Sequence, residues 1–245
     1  MLKYYANTNV GKQREKNEDY FKVGTYEGYN VYIVADGMGG YHGGEIASKL
    51  ATEETFENIL KAIDKGLINS PNGIGLTIID AIKRANNKVY EYSKKDENLK
   101  NMGTTIIVAI EKDNKLYYAS LGDSRIYKYT KKIEQITIDD TYVFALLKDG
   151  IITEEEAKVH PQRHVLTKAL GIGKKIELSY NEVDIKEGDI ILMCTDGITN
   201  MISNPKIEEI LVKNKDTDVN VADTLIKEAN SNGGTDNSTA VVIYM

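Results

Sequence analysis

Short apolar, β-branched runs and longer amphipathic stretches come in blocks along the 245-residue chain. Near the N-terminus the pattern reads strand, strand, helix, helix, with Tyr29 to Ala35 as a buried strand. From Glu45 to Leu60, Ile46, Leu50, Phe56 and Leu60 recur near helical spacing and predict a helix. Pro71 follows Asn69-Ser70, a cap with proline in the first turn. Ile74, Ile78, Ile79, Ile82, Ala85 and Val89 then mark one face of a second long helix. Thr104 to Ile110 and Lys115 to Leu121 read as a hairpin turning at Asp113-Asn114. Gly122-Asp123 precedes strands at Arg125 to Tyr129 and Ile133 to Ile138. Residues 139–170 change character, with helical pieces at Tyr142 to Lys148 and after Thr153-Glu154-Glu155-Glu156, a capped start. Strands are expected at Ile176 to Val183, Asp189 to Thr195 and Ser238 to Tyr244, and helices after Ser203-Asn204-Pro205 and after Asp216-Thr217-Asp218.

Strands and helices grouped this way favour antiparallel sheets with segregated helices, an α+β fold, over a doubly wound parallel sheet. With three prolines, no linker-like stretch and no repeat, residues 1–245 read as one domain. The formal charge of −6 and the lack of Lys/Arg clusters argue against a nucleic-acid binder. No apolar run reaches the roughly 20 residues that cross a bilayer, and the first residues carry no signal-peptide core, so a cytoplasmic location is expected. The single Cys194 sits inside an apolar run and reads as core rather than nucleophile. No long exposed apolar stripe calls for a partner, and a monomer is expected.

The chemistry concentrates in acids. Tyr32-Ile33-Val34-Ala35 runs into Asp36-Gly37, and Ile190 to Thr195 runs into Asp196-Gly197. Asp236-Asn237 follows a Gly-Gly turn before the last apolar run. An isolated Asp-Gly is ordinarily a turn. If the three carboxylates converge, each pair about 4 Å apart repels by about 4 kcal/mol at an effective dielectric near 20, and a divalent cation relieves that. All-oxygen ligation suits Mg²⁺ or Mn²⁺ rather than zinc. Arg14 offers a phosphate-binding fork with Glu18 and Asp19 close behind it, against the alternative of a solvated charged loop. Asp123, in Gly122-Asp123-Ser124-Arg125, is either a further ligand or half of an exposed ion pair in a hairpin turn. His42 is a candidate proton donor, whereas His160 and His164 lack the metalloprotease pattern and read as loop residues. No P-loop and no Gly-x-Ser-x-Gly elbow is present.

Taken in order, these pieces resemble the type 2C metal-dependent Ser/Thr protein phosphatases, in particular the bacterial single-domain members. The resemblance rests on Arg14-x-x-Asn17-x-Asp19, Val34-Ala35-Asp36-Gly37-Met38-Gly39-Gly40, Gly44-Glu45, Met102-Gly103-Thr104-Thr105, Leu121-Gly122-Asp123-Ser124-Arg125, His160-Pro161, Leu166-Thr167-x-Ala169-Leu170-Gly171, Cys194-Thr195-Asp196-Gly197 and Gly234-x-Asp236-Asn237, which together span the chain. It implies a four-layer αββα sandwich of two antiparallel sheets flanked by helices, with residues 139–170 as a flap beside the active site. It implies two Mn²⁺ or Mg²⁺ ions bridged by Asp36. Asp196 and Asp236 would complete the first site; the Gly37 carbonyl, and Glu18 through water, would serve the second. Asp123 with Asp196 matches a third, weaker site. Arg14 matches the phosphate-binding arginine and Asp19 an acid that orients water. The implied reaction is direct attack of a water shared by the ions on phosphoserine or phosphothreonine. The implied substrates are phosphoproteins made by a partnering Ser/Thr kinase. The chain departs from the pattern at Tyr41-His42, Asp140-Thr141 and Asn200. A phosphatase-like binding module and a different two-metal hydrolase are the alternatives; the retained acids weigh against the first and the lack of metal-binding histidines against the second.

Overall fold

The computed structural model describes residues 3–39, 43–215 and 217–245. In chain order the elements are β1 (Lys3–Asn9), β2 (Asp19–Tyr26), β3 (Tyr29–Met38), α1 (Gly43–Asp64), α2 (Pro71–Ser93), β4 (Gly103–Thr104), β5 (Ile106–Lys112), β6 (Lys115–Leu121), β7 (Arg125–Tyr129), β8 (Ile133–Gln135), α3 (Tyr142–Lys148), α4 (Glu154–Val159), β9 (Asn181–Asp184), β10 (Ile190–Cys194), α5 (Asp196–Thr199), α6 (Asn204–Lys213), α7 (Val221–Ser231) and β11 (Ser238–Tyr244). One sheet runs β1-β11-β10-β7-β8 and the other β2-β3-β5-β6-β9, with β4 pairing β3. The strand pairings are antiparallel.

Strand periodicity of two sorts the side chains into layers. In β3, Val31 and Ile33 face α1 and α2, in a core with Ala47, Ala51, Ile78 and Ile82. Their neighbours Tyr32 and Val34 point the other way, between the sheets, against Ile107, Ile126, Met193 and Val241. In β10, Ile191 and Met193 join that middle layer, while Ile190, Leu192 and Cys194 face α6 and α7 through Ile207, Leu211 and Leu225. Both faces of each central strand are covered, which is why these strands read as unbroken apolar runs. The result is the expected αββα sandwich.

Several boundaries differ from the sequence expectation. The first helix extends to Gly43–Asp64, and the last strand matches at Ser238–Tyr244. The Asp113-Asn114 turn has φ of +50° and +60°, the left-handed pair a two-residue hairpin needs. The strand expected at Ile176 to Val183 shrinks to β9. Its first half straps over the helical layer: Ile176 and Leu178 pack on that core, and the Tyr180 hydroxyl donates to Asn72 Oδ1 at 3.0 Å. The final helix begins at Val221, where Asn220 supplies the cap, accepting from the amides of Ala222 and Asp223. The edge strand β1 carries no apolar run and is held by pairing to β11.

Residues 139–170 hold α3 and α4 between β8 and β9. Neither α3 nor α4 buries a residue. The base of this segment is nonetheless tied down. Thr141 bridges Leu166, the Tyr142 amide donates to Val165 O at 2.8 Å, and the Thr167 amide donates to Asp140 O at 2.8 Å.

Candidate active site

The acids come together where the two sheets meet at one end. Asp19 and Asp36 are register partners on β2 and β3. Asp196 opens α5 immediately after β10, and Asp236 precedes β11. Asp123 lies in the segment that leaves β6 in one sheet and enters β7 in the other. The hairpin turn and exposed ion pair considered there are corrected: the segment crosses between sheets, and Arg125 pairs with Asp139, Nη2 to Oδ2 at 2.6 Å. Arg14, Glu18, Asp36, Gly37, Asp123, Asp196 and Asp236 line one open cavity of about 1970 Å³, to which α3, α4 and the segment after them also contribute.

Each acid is fixed by its surroundings. The Asp36 amide donates to Thr105 Oγ1, and its carbonyl accepts from the Thr105 amide and the Thr104 hydroxyl. Asp19 Oδ2 accepts from the hydroxyls of Thr195, directly after β10, at 2.8 Å and Thr239, in β11, at 2.7 Å, β10 and β11 being strands of the other sheet. Asp19 therefore cross-links the sandwich. Asn237 performs a similar task for the loop carrying Arg14: its Oδ1 accepts from the Glu18 amide and its Nδ2 donates to Val10 O and Lys16 O. Asp196 Oδ2 accepts from Asn200 Nδ2 at 3.0 Å, so the departure at Asn200 leaves a residue bonded to the site. Arg14 Nη2 donates to Asp236 Oδ2 at 2.8 Å. Glu18 folds beneath the start of α1, where its carboxyl takes a hydrogen bond from the Gly44 amide. A Cβ on Gly44 would stand 2.5 Å from Glu18 Cδ, which accounts for glycine at that helix start.

The two Asp-Gly pairs are not turns. β3 runs straight through Asp36-Gly37 to Met38, and Gly37 pairs with Thr104. Asp196-Gly197 opens a short helix. The glycines are there for space: a Cβ on Gly37 would lie 2.6 Å from Glu18 O and closer still to Gly44 O, and one on Gly197 would run into Asn237 O.

Burial and crowding oppose ionisation. Burial first, and then Asp19, Asp196, Asp123 and Asp236, push the Asp36 carboxyl well above its ordinary value. Asp19 is raised to about 7, by burial and then by Asp196 and Asp236, although its two threonine bonds pull the other way. Asp123 is also raised to about 7, by burial, Asp196 and Asp139. Asp196 is raised by burial and Asp236, with His164 and a hydrogen bond from Asp36 offsetting part. Glu18 is raised by burial, partly offset by Arg14.

Among the described residues, no three His, Cys, Asp or Glu side chains form a closed metal cluster as they stand. Glu18, Asp36, Asp123, Asp196 and Asp236 surround the cavity, while Asp19 is buried and not part of its lining; Arg14 on Asp236 and Asn200 on Asp196 supply local compensation. The donor set still fits hard dications. Asp19 Oδ1 and Asp196 Oδ1 are buried without a hydrogen-bond partner, and every candidate donor is oxygen.

Sequence reasoning gave no role to Thr195 and Thr239, whose hydroxyls hold Asp19, or to the hydroxyl pair Thr105–Ser124 at 2.7 Å; Thr195, Thr105 and Ser124 stand inside the motifs above and Thr239 two residues after Asn237, which was the available signal. It also read His164 as a plain loop residue, whereas His164 lines the cavity. His42, with Gly40 and Tyr41, lies outside the described residues. Burial pushes the Cys194 thiol up to about 12, in keeping with a core role.

The two-sheet sandwich thus carries an acidic cleft lined by Arg14. Residues 10–217 match the family model described as protein phosphatase 2C. The chain is 35% identical over 240 residues to the serine/threonine phosphatase stp of Listeria monocytogenes, across 96% of this chain and 93% of that protein. It is 36% identical over 245 residues to the protein phosphatase PhpP of Streptococcus pneumoniae, across 97% and 95%. The crystal structure of the Mycobacterium tuberculosis serine/threonine phosphatase PstP/Ppp matches with a TM-score of 0.87 at 32% identity, covering 100% of this chain and 98% of that one. A PstP catalytic domain in complex with 2 manganese ions matches at 0.83 and 30% identity, covering 99% and 97%. The chain belongs to the protein phosphatase 2C family of metal-dependent Ser/Thr protein phosphatases.

Proposed function

We propose that the whole chain acts as one phosphatase unit, hydrolysing phosphoserine and phosphothreonine in proteins, with two Mn²⁺ or Mg²⁺ ions held around Asp36. Asp36 would bridge the ions, with Asp196 and Asp236 on one and the Gly37 carbonyl and Glu18, through water, on the other; Asp123 and Asp196 would hold a third. The observation that carries this reading is the set of crowded, buried acids whose Asp19 Oδ1 and Asp196 Oδ1 have no donor. Bound there, the ions lower the pKa of water toward neutrality and neutralise phosphoryl charge.

This chain's own residues do the rest. Arg14, half-exposed beside Asp236, presents a planar fork to the phosphoryl oxygens, giving orientation as well as charge. Asp19, clamped by Thr195 and Thr239, holds one carboxylate oxygen in fixed orientation for a water. The flap closes one wall of the cavity. The substrates fitting such an open cleft are phosphoproteins, products of a Ser/Thr kinase. No helix among the described residues is long and apolar enough to cross a membrane. A cytoplasmic monomer is the setting we assign, supported by the lone buried thiol.

The test is hydrolysis of a phosphothreonine peptide with Mn²⁺ by the wild type, Asp36→Ala and Asp196→Ala. Each substitution should cost at least about 10²-fold in kcat. Activity surviving both, or none in the wild type with either metal, would sink the reading.

A further inference from the structure

The acids and Arg14 serve the attacking water and the phosphoryl group, but none of them is assigned to the departing oxygen. A serine or threonine alkoxide leaves badly unless it is protonated, and a positioned acid contributes about 10²–10⁴-fold. Guanidinium groups do not give up protons, which removes Arg14, Arg125 and Arg163. Lys168, also on the cavity wall, is engaged with Asp140 at 3.0 Å. Imidazole is the side chain whose ordinary titration falls near neutrality. Among the described residues, the imidazole lining this cavity is His164.

Its position in the flap is defined on both sides. A turn precedes it, with the Arg163 amide donating to His160 O at 3.1 Å. The next residue, Val165, accepts from the Tyr142 amide, and Leu166 bridges Thr141. Thr167 then donates to Asp140 O, and the Asp140 amide donates to Gly122 O at 2.9 Å, directly before Asp123. His164 thus sits on the limb of the flap that is stitched to the acidic floor, beyond α4, which buries no residue. It lies close enough to the acids that His164 offsets part of what raises Asp196.

We propose that His164 is the general acid of this chain, delivering a proton from the flap to the leaving oxygen. The proposal rests on the phosphatase reading above. As water adds to phosphorus, the bond from phosphorus to the Ser or Thr oxygen breaks and its electron pair stays on that oxygen. The imidazolium proton passes to the same oxygen, and the neutral alcohol departs. The proton lost by the attacking water goes to solvent, and the imidazole regains one from solvent before the next turnover.

Leaving-group dependence tests this. With saturating Mn²⁺, kcat is measured for wild type, His164→Gln and His42→Gln on a phosphothreonine peptide and on p-nitrophenyl phosphate, whose phenolate leaves without a proton. For His164→Gln the loss on the peptide should exceed the loss on p-nitrophenyl phosphate by about 10²-fold. The rate across a series of aryl phosphates should also fall more steeply with leaving-group pKa than in wild type. Equal losses on both substrates, or no loss, overturn the proposal, as does a selective loss found in His42→Gln and not in His164→Gln. A wild type that hydrolyses neither substrate instead overturns the phosphatase reading, so the two failures are distinct.

Discussion

Gly197 shows how a residue can matter by what it lacks. A Cβ there would lie 2.9 Å from Ser238 Oγ and collide with the carbonyl of Asn237, the residue that anchors the Arg14 loop. Gly197→Ala must push α5 away from the start of β11, and with it Asp196 from Asp236. Overpacking of this kind costs about 1–3 kcal/mol, so a lowered Tm and lost activity are expected together. Gly173→Ala, where the added carbon would meet only Lys175 O at 3.6 Å, serves as the control and should change stability by less than about 0.5 kcal/mol. The threonines on Asp19 are the other residue-scale device. Thr239→Val keeps the shape and removes one donor from a buried carboxylate, which costs about 1–3 kcal/mol by denaturant titration. The acids themselves were legible in the sequence because apolar strands lead into them. The reason for the glycines was not: a turn and a close backbone approach demand the same residue, and only the distant partner tells them apart.

At the scale of elements, legibility followed burial. Central strands covered on both faces appear as apolar runs, and α2 appears through its apolar face and its Ser70 cap. Elements that bury little of themselves do not: β1 has no apolar run and pairs with β11, and β9 emerges only where 115–118 offer an edge. The flap helix α4 is the instructive exception. It buries nothing, yet its start is written in Thr153 and Glu156, which form a reciprocal capping box. Because the cap is what holds α4, Thr153→Ala should cost about 1 kcal/mol locally. Hydrogen exchange should quicken across 153–160 while the global Tm stays nearly unchanged, since no core depends on this helix. A matching drop in global stability would mean the flap folds together with the sandwich.

For the whole molecule, the cost of gathering acids between two sheets should appear as a pH dependence of stability. Asp19 and Asp123 rise from an ordinary 3.8 to about 7 on folding, and Asp36 rises further in the same direction. Between about pH 4 and 7 the folded chain therefore binds more protons than the unfolded one. The sign follows from linkage: stability contributed by these groups is greatest below the unfolded value and falls as pH rises through that window. Metal-free protein in EDTA should lose Tm from pH 5 to pH 7.5, and Asp36→Asn, which removes the central charge, should lose less. Saturating Mn²⁺ should reverse the trend, because the ions bind the ionised carboxylates and compete with protons. Parallel Tm curves for wild type and Asp36→Asn, with and without Mn²⁺, would show that the acids do not act as one electrostatic unit. The pH at which the two wild-type curves separate would mark where the ions begin to displace protons from the cleft.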